Sequence, residues 1–501
     1  MLQSQKINQN LHKFILIFIL FFFTRGTVVG DESKIYFFII DFFESKKNII
    51  EYLNTVNGPC DLYDKCNYNY LGHHLYWFFY NTIILKLFSY LNFFNFLNID
   101  LLILHELILS LSSTFLIILS LIILIKSFNE SNWIYVYSFF VGSYGIGFIN
   151  GGFSECIIIF LVSSKIYIKN HNFKNKEFLL SFIDLYIIFL KPYFLIFIFF
   201  YNLTYKFTKK QLYNYLLSFI IFGIIFFITK FSVKIDYVNY YSEGLDIDIK
   251  RILERTFFFF LSPSVGIFLT CPFLIISFFY LKKNKLIKLS LITFYALFFS
   301  FYGDLAFWGG AGIGGSRYIF PILLIFLEDY LFFLNKIKVK IRITFLVICF
   351  ISFLPSLDYK NTNFALVPEQ TGEIIIKNVA DYPLNDFNLN PIYFSWKIFF
   401  QKDLLSRKEI GFTISEKKFL INNYEITPDT FISKLTHLTN KDFVKSKFYI
   451  SHHTDKKDIV SYMSKYLIFF QILRFLIFFI YTSLFIYVIS LQLKNLNVKK
   501  A

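Results

Sequence analysis

The chain has 501 residues, of which 56% are apolar and 22% aromatic. Soluble domains run at about 45–50% apolar, so the composition excludes an ordinary soluble globular protein and points to an all-α polytopic membrane protein. Lys and Arg number 50 against 34 Asp and Glu, a net charge of +16, but most basic residues stand in short loops between apolar runs, the positive-inside pattern, so no nucleic-acid partner is expected.

In chain order, the N-terminal "MLQSQKINQNLHKFILIFILFFFTRGTVVG" resembles a signal peptide with an apolar core from Phe14 to Phe23. With so many later apolar runs, an uncleaved first helix is expected. A spanning helix needs about 20 apolar residues. The basic loops Lys6–Lys13, Lys165–Lys176, Lys206–Lys210, Lys282–Lys288, Lys336–Arg342 and Lys494–Lys500 are set inside. The spacing then predicts about ten crossings: 12–29, 75–95, 101–125, 155–168, 211–232, 264–281, 286–302, 317–334, 341–356 and 465–491, with both termini cytoplasmic. Two apolar segments, 132–153 and 177–202, would start and end on the same side. Each is expected to be a pair of half-helices, the second broken at Lys191-Pro192, because proline interrupts a helix. Broken helices at membrane depth need protein or a cavity around the freed backbone, so the bundle is expected to enclose a cavity. The organisation is then a membrane domain 1–356 with a first outer loop 30–74, a small extracytoplasmic domain 357–464 holding four of the ten prolines, and a final helix and tail 465–501.

Several residues are candidates for chemistry. Asp31 and Glu32 directly follow the first apolar run, and Ile35, Phe38, Ile39 and Phe42 recur after them at helical spacing, as in a helix lying on a membrane surface. The pair is either solvated loop or a carboxylate at the interface, placed to take a proton from a hydroxyl. His73 and His74 open the second run beside Tyr76 and Trp77, either as part of an aromatic belt or as a substrate-orienting pair. Glu155 stands at the mouth of a span after Gly151 and Gly152; it is solvated there, or it is a functional intramembrane carboxylate. Lys191, in the break, needs an anion if the bundle buries it. Arg474, inside the last span, needs one too unless its stem snorkels. In "YGDLAFWGGAGIGGSRYIFPILLIFL" (302–327), five glycines lie between Trp308 and Arg317. Glycine backbone and an arginine fork suit a phosphate; the plain alternative is a glycine-rich loop with one snorkelling arginine. Cys156, Cys271 and Cys349 read as small core residues, whereas Cys60 and Cys66 share a polar loop as free thiols or as a disulfide.

These features fall in the order "GDESKIYF" (30–37), "GHHLYWFF" (72–79), "FSEC" (153–156), "LKPY" (190–193), "SPSVGIFLTCPFLI" (262–275) and "FWGGAGIGGSRYIFPIL" (307–323). In this order the chain resembles the glycosyltransferase C superfamily, and within it bacterial members of the protein mannosyltransferase and aminoarabinose transferase type. The likeness runs from about residue 12 to 335, with Ser33 where the family has proline and Val265 where arginine is common. The resemblance implies a membrane glycosyltransferase of the bacterial inner (plasma) membrane and cell envelope. It would move a sugar from a polyprenyl-phosphate donor to a lipid, glycan or protein on the extracytoplasmic face. Asp31 would be the catalytic base, Glu32 would share or tune that role, and Arg317 and Lys191 would hold the donor phosphate. Glu155, His73, His74 and Arg474 are added as substrate-binding candidates on their own residue chemistry rather than on the resemblance, with membrane lipids around the site. Some relatives use a divalent metal, but no compact ligand set stands in this sequence and no cofactor is assigned. A non-enzymatic transporter or flippase, or a polysaccharide polymerase, is the competing expectation.

Overall fold

The computed structural model describes residues 11–23, 79–87, 101–128, 132–143, 145–150, 155–191, 193–203, 209–232, 247–262, 266–279, 284–301, 318–354 and 479–491, with isolated positions between 39 and 52 and residue 476. Among these residues the structure is helical and holds no strand. The expected domain 357–464 lies outside the described residues.

Residues 11–18 form α1, which passes into a 3-10 turn at Ile19–Phe23, and 79–87 form α2. There follow α3 (Leu101–Ser127), α4 (Trp133–Val141), α5 (Ile146–Asn150), α6 (Glu155–Asn170), α7 (Lys176–Leu190), α8 (Phe194–Leu203) and α9 (Lys209–Ser232). The chain continues through α10 (Ile249–Leu261), α11 (Ile267–Thr270), α12 (Pro272–Phe279), α13 (Lys285–Ser300), α14 (Phe320–Leu323), α15 (Leu327–Lys336) and α16 (Val339–Phe353). The last described helix, α17, is 479–491.

Local chemistry sets many of these boundaries. Asp248 caps α10 by accepting from the backbone N–H of Lys250 at 2.9 Å and of Arg251 at 3.4 Å, satisfying donors that a helix start leaves open. Proline heads α12 and stands in the first turn of α14, where its missing N–H costs nothing. The expected span 264–281 is therefore two helices parted at Cys271, and 317–334 is α14, a 3-10 turn Leu324–Phe326 and α15. Among the described residues no helix is long and apolar enough to cross a membrane.

Helix α4 is the hub. All nine of its residues are buried, and it packs against α3, α15 and α16. The ring of Phe139 meets those of Phe273, Phe320 and Tyr330 at centroid distances of 5.8, 6.3 and 5.5 Å. The chain leaves α4 at Gly142 and restarts at α5. A Cβ at Gly142 would stand 2.8 Å from the Ser138 carbonyl oxygen and 2.9 Å from Phe273, and one at Gly145 would stand 2.6 Å from Phe320. Close approach, rather than an unusual dihedral angle, is what requires glycine here.

Helix α6 is the second hub, packed on α3, α7 and α14. Helices α7 and α8 form a broken pair beside it, α9 lies on α7, and α13 takes both α8 and α10. Helices α1 and α17 meet at α4: the Tyr137 hydroxyl donates to the Leu16 carbonyl at 3.0 Å and shares a hydrogen bond with the Tyr481 hydroxyl. Phe485, one turn on from Tyr481, stacks on Phe350 at 3.7 Å.

Three basic residues expected in cytoplasmic loops are instead buried inside helices. Lys165 of α6 pairs with Asp184, and Lys288 of α13 pairs with Asp329 while donating to the Ile325 carbonyl at 3.2 Å. Arg342 of α16 donates to the Tyr135 hydroxyl at 2.7 Å. Each stands where a basic loop merges into an apolar run, so linear charge does not separate the solvated lysines from the one that turns inward to an acceptor.

Candidate functional site

Of the residues the sequence singles out, Glu155 and Lys191 fall within the described residues; Asp31, Glu32, His73, His74, Arg317 and Arg474 lie outside them. The two that are described come together. The Nζ of Lys191 is 3.6 Å from Oε1 of Glu155, and both side chains are almost wholly buried.

The backbone explains how. Lys191 ends α7 with φ −148° and ψ 99°, the extended conformation that a following proline imposes. Its N–H still bonds the Ile187 carbonyl at 3.0 Å, and its own carbonyl accepts from Phe194 N–H at 3.0 Å. Helix α8 thus restarts as soon as Pro192 is passed, and the Lys191 side chain leaves from the break itself. Glu155 is the first residue of α6, where the N-terminal end of the helix dipole favours a carboxylate.

An aromatic shelf borders the pair. Lys191 Nζ is 5.7 Å from the ring centroid of Tyr318, within reach of a cation–π attraction. Tyr318 stacks on Phe299 at 6.3 Å, and Tyr193 stands edge-on to both, at 5.9 Å from Phe299 and 6.0 Å from Tyr318. Tyr318 is the residue after Arg317 in the sequence. A buried lysine held by a carboxylate at ion-pair range, with ring faces around it, can receive an incoming anion by turning its Nζ away from Glu155. Desolvation strengthens such a contact.

A second buried polar cluster lies further along α6 and has no counterpart among the sequence candidates. Lys165 pairs with Asp184 of α7 and donates to Asn202 Oδ1 of α8 at 3.2 Å. Asn202 donates to Asp184 at 3.0 Å and to the Tyr215 hydroxyl of α9 at 2.6 Å, and Tyr215 in turn donates to Asp184. Lys165 and Lys169 lie 4.3 and 4.6 Å from the ring of Tyr201. The signal was present: Asp184 is an acid inside an apolar run, the feature that marks Lys191.

Cys156, Cys271 and Cys349 are buried thiols that form no disulfide. Among the described residues no group of three or more His, Cys, Asp or Glu is placed to hold a metal ion. Comparison with protein-family models, with curated proteins and with solved structures gives no match.

Proposed function

We propose that the chain is a polytopic membrane glycosyltransferase that uses a polyprenyl-phosphate-linked sugar, with Lys191, Glu155 and Arg317 at the donor's phosphate and Asp31 as the base. One observation carries this: three motifs of the resemblance, far apart in sequence, converge. "FSEC" contributes Glu155, "LKPY" contributes Lys191, and the "SRYIFP" segment contributes Tyr318, on whose ring face Lys191 lies. Asp31 would accept the proton of the acceptor hydroxyl as that oxygen attacks the anomeric carbon, which inverts the centre. The lysine and arginine would stabilise charge on the departing phosphate.

The membrane part of the proposal is supported by how the bundle distributes its side chains. In α10, Arg255 is 1% exposed while Ile249 is 73% and Leu253 62% exposed. Helix α9 likewise turns Leu212, Tyr213, Leu216, Phe219, Ile220 and Ile224 outward. Helix α10 also exposes Lys250 and Glu254, the mixed face of a helix at a membrane surface, while the buried Arg255 and the outward apolar face of α9 suit a lipid solvent. A transporter or flippase is the second reading, favoured by the helix break that carries a buried ion pair, since such breaks mark transport sites.

The test is donor turnover by the purified protein, using radiolabelled polyprenyl-phosphate sugars. Asp31→Asn is expected to lower turnover by about 10²–10⁴-fold, the usual worth of general base catalysis, and Arg317→Ala to weaken donor binding. Unchanged turnover in Asp31→Asn moves the base to another residue, with Glu32 next. Label that crosses a vesicle membrane unaltered, with no transfer, selects the transporter.

A further inference from the structure

Tyr295 of α13 is fully buried, and no motif in the sequence marks it. Its hydroxyl donates to the Tyr193 carbonyl at 2.8 Å and accepts from the Phe197 backbone N–H at 3.2 Å. Those two groups are the ends of the first turn of α8. A helix restarting after proline has its least secure hydrogen bonds in that turn, because the turn has no helical residue before it. A buried hydroxyl that touches both ends closes the turn from outside. The same Tyr193 whose carbonyl is held contributes its ring to the shelf around Lys191, and Phe299, one turn after Tyr295 on α13, is the ring on which Tyr318 stacks.

We infer that Tyr295 is the positioning residue of the Glu155–Lys191 site: its hydroxyl clasps the first turn of α8 and thereby fixes the direction in which the Lys191 side chain leaves the break. It acts through the Tyr193 carbonyl and the Phe197 backbone N–H. The functional consequence rests on the reading of this site as an anion site, but the clasp itself does not.

The decisive variant is Tyr295→Phe, which keeps the ring against Phe298 and Phe299 and removes only the oxygen. The control is Tyr330→Phe, which removes another buried hydroxyl, that of the residue bonded to Ser138 at 2.9 Å, away from the break. Two measurements separate the clasp from the function. The first is hydrogen–deuterium exchange of the full-length protein in detergent, followed over 193–203. Exchange about tenfold faster than wild type in Tyr295→Phe, and unchanged in Tyr330→Phe, is the expected result. Exchange in Tyr295→Phe equal to or slower than wild type overturns the inference. The second is equilibrium binding of a short-chain polyprenyl phosphate, expected to weaken about tenfold in Tyr295→Phe with the melting temperature close to that of the control. A variant that exchanges faster yet binds with full affinity overturns the positioning role. If wild type itself does not bind the probe while the exchange difference is present, the clasp stands and the proposed donor falls.

Discussion

A lysine and a glutamate that meet inside a helix bundle each lose their water, and their mutual attraction has to make up for it. Removing one partner of such a pair costs about 3–5 kcal/mol, whereas replacing both with apolar side chains of similar volume is often neutral. Lys191→Met is therefore expected to lower the stability of the protein in detergent by about 3–5 kcal/mol, and the double change Lys191→Met with Glu155→Leu to recover most of that loss. Thermal melts of the two variants against wild type measure it. Equal melting of the single variant and wild type would falsify the buried pair. At this scale the sequence was half legible. A lysine before a proline inside an apolar run is a local signal, so Lys191 could be read as a cation in need of an anion. Its anion was chosen by the packing of α6 on α7, which no local pattern encodes, and the same is true of the Tyr295 hydroxyl.

At the scale of elements, α6 carries a carboxylate at its start and a lysine ten positions later, about 15 Å along the axis at 1.5 Å per residue. The broken pair α7–α8 offers the opposite order, a lysine at the break and Asp184 within α7. Sliding one element past the other by a turn would unmake both ion pairs at once, so the two pairs specify a single register. The α4–α5 break is specified differently, by absence of side chains. Gly142→Ala has to displace backbone and the Phe273 ring, and a strained insertion of this kind typically costs about 1–3 kcal/mol. Gly223 of α9 has nothing within 4 Å of an added Cβ, so Gly223→Ala is expected to stabilise by about 0.5–1 kcal/mol through helix propensity alone. Opposite signs of the melting shift check the pair of variants; a destabilised Gly223→Ala counts against the open space. Breaks were legible in the sequence because glycine and proline act on their own neighbours. Register was not, and Lys165, Lys288 and Arg342 were assigned to loops because a basic residue at the margin of an apolar run looks the same whether it faces water or turns in to Asp184, Asp329 or Tyr135.

For the whole molecule, the proposed membrane placement predicts that the expressed chain stays with the membrane pellet after an alkaline carbonate wash. Release into the supernatant would remove the membrane part of the proposal while leaving the helical bundle as described. The meeting of α1, α4 and α17 carries a further consequence, one of timing. Tyr137 and Tyr481 stand 344 positions apart. At about 10 residues per second, the ribosome spends on the order of half a minute between them. Throughout that interval the face of α4 that carries Tyr137, and Phe350 once it is made, wait for the rings of the final helix, whereas the Lys165–Asp184–Asn202–Tyr215 cluster has all four members as soon as α9 is made. The nascent chain should therefore be vulnerable to quality-control proteases at the α1–α4 face until synthesis is nearly complete.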